Sequence, residues 1–395
     1  MIVRRISRAL LAIAAAGLIL RGGCWEARAQ IATKEIPKFL VQPGWPTIPN
    51  GWTLGQVSDA TVDKDNNIWI IQRPRTVKTG VKTGPPVMEF DQAGHYIKGW
   101  GGLGKDYPWP QVEHGIYIDY KGYVWICGSG NDDQVYKFTQ DGQFLLQIGH
   151  ATEEKSNQDT SQFFRPTAMW VYPPTNELFV SDGYANRRII VFDADTGKFK
   201  RMWGAFGHAP EGPPPAAEKT PTTPDPNRTL ATEFDPKDPG PPQFDTVHDV
   251  AISRDGLVYV GDRGGKRVQV FKADGTYIAQ VWIDRWCLQV TRTCGNGQTA
   301  GSVAFSADPQ QRFLYVGSRS PARVLVFDRK TLKLITSFGR AGIEPAEFDD
   351  LHEITTDSTG NLYVCEVEDG RRIQRFVFKG IVTVPAGQNE ELVVK

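Results

Sequence analysis

Three of the six histidines in this 395-residue chain stand at the same position relative to a recurring aromatic residue. His114, His248 and His352 each lie eleven residues before an aromatic residue in a β-strand pattern. Neutral imidazoles that converge from separate segments form the ligand set of catalytic zinc sites, which keep a fourth position open for water or substrate. A single histidine is more often satisfied by local hydrogen bonds, but the shared position of these three predicts one common zinc site.

The other histidines, His95, His150 and His208, share no position relative to the aromatic residues. They fall in turns and loops. We expect them at solvated surface positions.

A second group of polar residues follows the same aromatic residues. Arg73, Arg263 and Arg319 each stand four residues after one of them, and Tyr184 stands five residues after another. A guanidinium group holds a carboxylate through two parallel hydrogen bonds, and a phenol beside a metal ion can accept or donate a proton in catalysis. We therefore expect a small-molecule or peptide substrate with a carboxylate. For Arg319, an ordinary solvated position fits the pattern equally well.

The elements that position these residues are six copies of one β-strand pattern. Each copy has an apolar strand, a turn, a second strand with the aromatic residue, a polar loop and two further strands, as in "NELFVSDGYANRRIIVF". A repeat of fifty-odd residues made of short strands is typical of a β-propeller, in which no blade can bury its apolar face alone. We predict an all-β fold, a six-bladed β-propeller around a central channel. The aromatic residues that mark the blades are Trp69, Trp125, Phe179, Tyr259, Tyr315 and Tyr363.

This assignment places the three histidines on blades two, four and six, at the start of each innermost strand. Alternate blades of six are about 120° apart, so the imidazoles should converge on the channel. Counting back eleven residues in the other blades reaches Ser58, Ala168 and Ala304. In an up-and-down blade, the loop after the second strand returns to the face where the first strand begins. Tyr184 and the arginines should therefore border the histidines.

The N-terminal segment predicts export. Residues 1–29 combine a basic start with an apolar run from Ala9 to Leu20, which is typical of a secretory signal peptide cleaved after Ala29. The apolar run is too short to span a bilayer, and Arg21 stands where a lipid-attachment site at Cys24 would need an apolar residue. We expect a periplasmic or extracellular protein with no transmembrane segment.

The mature chain, residues 30–395, is expected to be one propeller domain. Residues 205–245 form a Pro-rich insertion that predicts an extended surface loop, with a lid as the alternative, and the segment "PKFLVQ" is expected to close the ring as a strand of the last blade. The 45 basic and 45 acidic residues balance, and no basic block is present, which argues against nucleic acid as a partner. We expect a monomer.

The cysteines of the mature chain divide into two pairs. Cys287 and Cys294 lie in a polar loop of a chain predicted to be exported, where a disulfide that closes a small loop is the usual state. Cys127 and Cys365 fall inside strand patterns, so we expect buried, reduced thiols that pack as small apolar side chains.

At the residues described above, the sequence resembles the peptidyl-α-hydroxyglycine α-amidating lyase family, six-bladed propellers of the NHL-repeat class. The resemblance extends from about Gly55 to Phe378 and is most specific in "SDGYANRRI", "HGIYID" and "GDRGGKRVQVF". It implies that the three alternating histidines bind a catalytic Zn²⁺ ion. It also implies that Tyr184 is the active-site tyrosine and that Arg73 and Arg263 are the two functional arginines.

The resemblance further implies a structural Ca²⁺ ion in the channel, held at the positions of Ala60, Ile116 and Glu353. Two residues depart from the family pattern. Glu353 replaces the usual aspartate of the calcium site, and Asp350, two residues before His352, stands where the animal enzymes have methionine. We expect Asp350 to contribute to substrate binding in a more polar pocket.

Taken together, these features predict an exported, zinc-dependent carbon–nitrogen lyase that cleaves an N-acyl- or peptidyl-α-hydroxyglycine into an amide and glyoxylate. Two alternatives stay open. A non-catalytic propeller would bind a peptide, glycan or protein at its mouth and would purify without stoichiometric zinc. A propeller lyase or lactonase with another metal is disfavoured, because calcium-dependent enzymes use oxygen ligands rather than imidazoles.

Overall fold

Six antiparallel sheets of four strands each form a ring in the computed structural model, which describes residues 32–151, 156–212, 238–287, 294 and 297–387. The prediction of an all-β, six-bladed β-propeller is confirmed. Across these described ranges there is no α-helix, and the helical content is two 3₁₀ turns, Pro74–Thr76 and Ala205–Gly207. None of the described helices is long and apolar enough to cross a membrane.

The blades follow one another along the chain, and within each blade the strands run from the channel outwards. In blades one to three they are β2 (Gln56–Val62), β3 (Ile68–Arg73), β4 (Val87–Phe90), β5 (Tyr96–Trp100), β6 (Glu113–Ile118), β7 (Val124–Gly128), β8 (Val135–Phe138), β9 (Phe144–Ile148), β10 (Pro166–Tyr172), β11 (Glu177–Asp182), β12 (Arg188–Asp193) and β13 (Phe199–Trp203). In blades four to six they are β14 (Val247–Ile252), β15 (Leu257–Asp262), β16 (Arg267–Lys272), β17 (Tyr277–Trp282), β18 (Ala300–Phe305), β19 (Phe313–Ser318), β20 (Arg323–Asp328), β21 (Lys333–Phe338), β22 (Leu351–Thr356), β23 (Leu362–Glu366), β24 (Arg372–Pro385) and finally β1 (Thr33–Gln42).

The ring closes through the N-terminal strand, as expected from "PKFLVQ". Strand β1 pairs antiparallel with β24 as the outermost strand of blade six, with Phe39 opposite Phe378. The first and last described strands of the chain thus share one sheet, which ties the two ends of the ring together.

Apolar side chains fill the spaces between neighbouring blades. Six buried clusters are present, and each combines residues of two adjacent blades, so that every blade interface has its own core. Between blades two and three, for example, Trp125 and Val135 pack with Val171 and Leu178. Because a blade buries its faces only against its neighbours, the ring as a whole is the stable unit.

The recurring aromatic residue has a polar partner in several blades. The indole nitrogens of Trp69 and Trp125 donate to the carboxylates of Asp63 and Asp119, at 3.0 and 2.9 Å, and the Tyr363 hydroxyl donates to Asp357 at 2.9 Å. In each case the aspartate lies in the turn six residues earlier. The pair anchors that turn, because a buried indole or phenol needs a hydrogen-bond partner.

Every innermost strand carries a β-bulge near its start. The pairing of the first strand with the second skips one residue in each blade: Ser58, His114, Thr167, His248, Gly301 and His352. A bulge redirects the local backbone and side chain. The three histidines therefore occupy one structural position in alternate blades, as the sequence predicts.

The residues predicted to occupy the histidine position in blades three and five were wrong. Thr167 and Gly301 occupy the bulge position there, rather than Ala168 and Ala304, which pair within the ladder. The reason is turn length. The marker aromatic pairs with a residue eight positions earlier in four blades, but Phe179 pairs with Trp170 and Tyr315 with Ala304, which are nine and eleven positions earlier.

The predicted cysteine states are confirmed. Cys287 and Cys294 form a disulfide with their Cα atoms 5.2 Å apart, and Cys127 and Cys365 are free and buried. The signal peptide and most of the Pro-rich insertion lie outside the described residues, so those boundaries stay predictions.

Candidate metal centre and active site

Each of the three bulge histidines is fixed by the bulge of the next blade. Nδ1 of His114 donates to the carbonyl oxygen of Thr167 at 2.7 Å, and Nδ1 of His248 donates to that of Gly301 at 2.8 Å. Nδ1 of His352 donates to the carbonyl oxygen of Ser58 at 2.7 Å. A carbonyl can only accept, so the proton of each neutral ring lies on Nδ1 and the lone pair lies on Nε2.

The three rings converge on one point. Their centroids lie 4.7 to 5.0 Å apart, and one ligand atom from each ring lies within 4.8 Å of the others. All three are buried, and burial lowers the pKa of each imidazole well below its usual range, with the nearby arginines acting in the same direction. The rings are therefore neutral at pH 7, the state in which imidazole binds metal.

A carboxyl group lies beside one of these bonds. Oε1 of Glu353 is 2.9 Å from Nδ1 of His248, but the proton of that nitrogen goes to the Gly301 carbonyl, so Oε1 accepts no hydrogen bond among the described residues. Metal-bound histidines usually direct their second nitrogen at a carbonyl or carboxylate, which fixes the ring and increases its basicity. Three neutral imidazoles with these outer partners fit a divalent cation such as Zn²⁺.

Tyr184 lies at the tip of the loop between β11 and β12, against the histidines. Its Oη atom is 3.1 Å from Nε2 of His114 and 3.2 Å from Nε2 of His248. The loop is held in place because the Tyr184 N–H donates to the Arg165 carbonyl at 3.2 Å. Gly183 permits the approach, since a Cβ atom there would clash with the Val247 carbonyl. The fold thus places a phenol at the open side of the imidazoles.

The base of this loop rests on a buried ion pair. Nε of Arg188 donates to Asp182 at 3.0 Å, and both side chains are fully buried. The remaining guanidinium nitrogens donate to the carbonyls of Asn157, Asp159 and Gln162 in the preceding connection. Asp262 and Arg267 repeat this pairing beneath the loop of Arg263.

Arg73 and Arg263 flank the same mouth but differ in their bonding. Nε of Arg73 donates to the Glu113 carbonyl and Nη1 to Gln56, both at 2.7 Å. Arg263 is buried, its guanidinium lies 4.9 Å from the centre of the Tyr184 ring, and its Nε and Nη1 have no hydrogen-bond partner in the part of the chain that the structure describes. Burial lowers the pKa of both arginines. A buried guanidinium with unused donors is poised to take an anion.

Arg319 is not a solvated surface residue. Its Nη2 donates to Oδ2 of Asp350 at 2.5 Å, and about 15% of each side chain is exposed. Oδ1 of Asp350 is buried and has no hydrogen-bond partner within the described ranges of the chain. The two expected binding residues therefore form one ion pair, and both influence the pKa of Arg263, while Arg319 also lowers the pKa of His114 and His352.

Three carboxylates surround the channel one residue beyond the bulges: Asp59, Asp249 and Glu353. Asp59 accepts from the N–H groups of Ala60 and Ile116 at 2.7 and 2.9 Å. Burial raises the pKa of Asp249 to about 7. Burial, together with repulsion among the three groups, raises the pKa of Asp59 and Glu353 well above the usual range.

The expected calcium positions lie at this carboxylate ring. Ala60, Ile116 and Glu353 line a cavity of about 270 Å³ together with Asp59 and Asp249. The cavity is formed by the second halves of the innermost strands, on the opposite side of the ring from Tyr184. The resemblance did not identify Asp59 and Asp249, although each directly follows a bulge position, as Glu353 does.

The remaining histidines are separate from the site. His95 is largely exposed and pairs with Asp91 in its turn, and His150 is exposed and bonds to Gln162. His208 follows the 3₁₀ turn Ala205–Gly207 and is also exposed. Their predicted surface positions are confirmed.

Comparison with known proteins shows a match to one repeat family and similarity to several distant relatives. The NHL repeat matches residues 244–271, which include His248 and Arg263. NHL repeat-containing protein 3 of Homo sapiens is 25% identical over 353 residues, covering 86% of this chain and 84% of that protein. The chain is thus similar over most of its length to an NHL-repeat protein.

Two further relatives concern peptide amidation. Peptidylglycine alpha-amidating monooxygenase of Rattus norvegicus is 28% identical over 368 residues, which span 87% of this chain but only 32% of that longer protein. A probable peptidyl-alpha-hydroxyglycine alpha-amidating lyase of Caenorhabditis elegans is 27% identical over 164 residues, or 41% of this chain and 37% of that one.

Proposed function

We propose that this chain is an exported, zinc-dependent carbon–nitrogen lyase of the peptidyl-α-hydroxyglycine α-amidating type. One observation carries the proposal. Three neutral imidazoles converge with their Nδ1 protons held by backbone carbonyls, and the Tyr184 hydroxyl lies 3.1 and 3.2 Å from Nε2 of His114 and His248. The similarity to amidating proteins supports the same reaction class.

The substrate in this proposal is an N-acyl-α-hydroxyglycine, a carbinolamide with a free carboxylate. Arg263 receives the carboxylate through its unused Nε and Nη1 donors, and Arg73 adds a second positive charge close enough to Tyr184 to interact with it electrostatically. Anchoring the carboxylate fixes the hydroxyl-bearing carbon against the histidines and Tyr184. Such positioning accounts for much of the rate enhancement of an enzyme.

The reaction requires one proton transfer in each direction and no change of oxidation state. Tyr184 takes the proton from the substrate hydroxyl. The electron pair left on this oxygen forms the carbonyl group of glyoxylate. The carbon–nitrogen bond breaks in the same step, and the electron pair of that bond moves to nitrogen. Tyr184 then returns the proton to nitrogen and releases the amide. The developing charges are held by fixed groups, since Arg73 and Arg263 are already buried in place.

His114, His248 and His352 would hold the metal ion. Zn²⁺ bound there would supply Lewis acidity, which makes an adjacent hydroxyl more acidic. We further propose a structural Ca²⁺ ion at Ala60, Ile116 and Glu353. The carboxylates of Asp59 and Asp249 would be part of this site, because a cation would relieve the repulsion among the three acids.

Export remains part of the proposal. Residues 1–29 carry the signal-peptide pattern, and the disulfide between Cys287 and Cys294 is of the kind that persists in oxidising compartments.

The test is product formation by the purified mature protein. With N-benzoyl-α-hydroxyglycine as substrate, we expect benzamide and glyoxylate in equal amounts, and loss of both after zinc is removed and their return when zinc is restored. A fully zinc-loaded protein that releases no glyoxylate above the uncatalysed rate would reject the lyase assignment.

A further inference from the structure

The ion pair of Arg319 and Asp350 has an unused acceptor beside the proposed active site. Asp350 directly precedes β22 and lies two residues before His352, and Arg319 directly follows β19. Oδ2 of Asp350 accepts from Arg319, whereas its buried Oδ1 accepts from no group among the described residues. Burial removes a carboxylate oxygen from water, and without a hydrogen-bond partner no interaction compensates for the lost hydration. It is therefore suited to a donor supplied by a ligand.

The charges around this oxygen define which donor fits. The Asp350 carboxylate is neutralised by Arg319, and Arg263 is close enough for both residues to influence its pKa. An additional ammonium group would be repelled by two guanidinium groups. A neutral donor, such as an amide N–H or a hydroxyl, forms a charge-assisted hydrogen bond without that repulsion.

The place of this donor in the substrate follows from the other contacts, and this step rests on the proposed function. The three substituents to be bound are the hydroxyl, the carboxylate and the acyl group on nitrogen. The hydroxyl lies against Tyr184 at the histidine site, and Arg263 with Arg73 takes the carboxylate. The acyl group is then the part of the substrate that faces Asp350.

We propose that Asp350, positioned by Arg319, selects substrates whose acyl group carries a neutral hydrogen-bond donor. A peptidyl group meets this requirement through its backbone N–H, and a hydroxyacyl group meets it through its hydroxyl. A plain fatty-acyl group does not. The rejection of a donor-free analogue arises because the Asp350 oxygen would stay buried and unpaired.

Binding of unreactive glycine derivatives tests this selection without turnover. Two matched pairs isolate the donor by calorimetry on the zinc-loaded protein. N-Acetylglycylglycine and N-(4-oxopentanoyl)glycine differ by one N–H replaced with CH₂. N-Glycoloylglycine and N-propionylglycine differ by one hydroxyl replaced with methyl.

We expect the donor compound of at least one pair to bind about tenfold tighter or more, the usual effect of a hydrogen bond to a charged group. The pair that shows the preference identifies the donor as amide or hydroxyl. Equal affinities within both pairs would overturn the inference.

Variants then assign the preference to the ion pair. The double variant Arg319→Met with Asp350→Leu removes both charges together, so no buried charge is left unpaired, and the preference should fall to within about twofold. Asp350→Asn keeps an acceptor of the same shape and should keep a reduced preference. The control is the double variant Arg329→Met with Asp255→Leu, which removes an ion pair of 2.9 Å between blades four and five. The donor preference should be unchanged in this control.

A preference that survives in the Arg319 and Asp350 double variant would overturn the inference. The result for the lyase assignment is distinguishable from this one. If the protein shows a donor preference that depends on Asp350 but releases no glyoxylate, the proposed reaction is rejected and the proposed role of Asp350 in ligand binding stands.

Discussion

The phenolic oxygen of Tyr184 on blade three lies 3.1 Å from Nε2 of His114 on blade two. The bulky residue at the tip of a tight loop is therefore part of the channel mouth, where its hydroxyl meets the lone pairs of two imidazoles. The fold fixes this contact from both sides, through the bulge that orients His114 and through the buried pair of Asp182 and Arg188 beneath the loop.

Replacing Tyr184 with phenylalanine should remove the proton-transfer group and leave the ring packing intact. We expect kcat for glyoxylate release to fall by about 10² to 10⁴, the usual contribution of a general acid–base group, with zinc content unchanged. Tyr120→Phe is the matched control, because its hydroxyl bonds to Asn176 at an exposed site. A Tyr184→Phe enzyme with wild-type kcat would exclude the proposed role.

Replacing Arg263 with methionine should separate binding from stability. Its guanidinium is buried with two unused nitrogens, so its removal costs the fold little and should change the free energy of unfolding by less than about 1 kcal/mol, or increase it. The KM for a carboxylate substrate should rise about tenfold or more. Urea unfolding and steady-state kinetics measure the two quantities. Strong destabilisation with unchanged KM would show that Arg263 is structural.

Replacing Arg188 with methionine should give the opposite result. This arginine is fully buried and every guanidinium nitrogen donates to a protein acceptor, so its loss leaves the buried Asp182 carboxylate without its cationic partner and with the hydrogen bonds from Asn186 and the Phe164 N–H. We expect a loss of about 3–5 kcal/mol in the free energy of unfolding. Arg340→Met removes an exposed pair with Glu347 and should cost less than about 1 kcal/mol. Equal effects of the two substitutions would contradict the structural role of Arg188.

Zinc binding should depend little on pH between 7.5 and 6. Burial lowers the pKa of all three histidines well below the usual value, so in the folded protein they carry no proton for zinc to displace in this range. Protonation competes only as the pH falls through the lowered pKa values. If the three histidines were instead exposed, with ordinary pKa values near 6.5, protonation would weaken zinc binding by up to about tenfold per ligand for each pH unit below 6.5. Chelator competition at several pH values distinguishes the two cases.

The architecture and the histidine set could be predicted because they depend on periodicity. Six strand patterns with a marker aromatic residue define the blades, and identical spacing in alternate blades requires the three histidines to converge. The loops that carry Tyr184 and Arg263 follow from the same count, since each comes directly after a second strand.

Other features depend on contacts that spacing does not encode. The turns in blades three and five are longer, so the count from Phe179 and Tyr315 missed Thr167 and Gly301, whose carbonyls orient two of the histidines. The pairing of Arg319 with Asp350 joins residues of different blades. Asp59 and Asp249 are different, because spacing does identify them. Each stands one residue after the position that the histidines occupy in alternate blades.

The zinc content of the purified protein tests the central claim most directly. After saturation with Zn²⁺ and removal of the excess, elemental analysis should find about one zinc ion per chain, and each of the single substitutions His114→Ala, His248→Ala and His352→Ala should abolish it. A folded wild-type protein without stoichiometric zinc, or zinc content that survives these substitutions, would contradict the claim that the three imidazoles bind one ion.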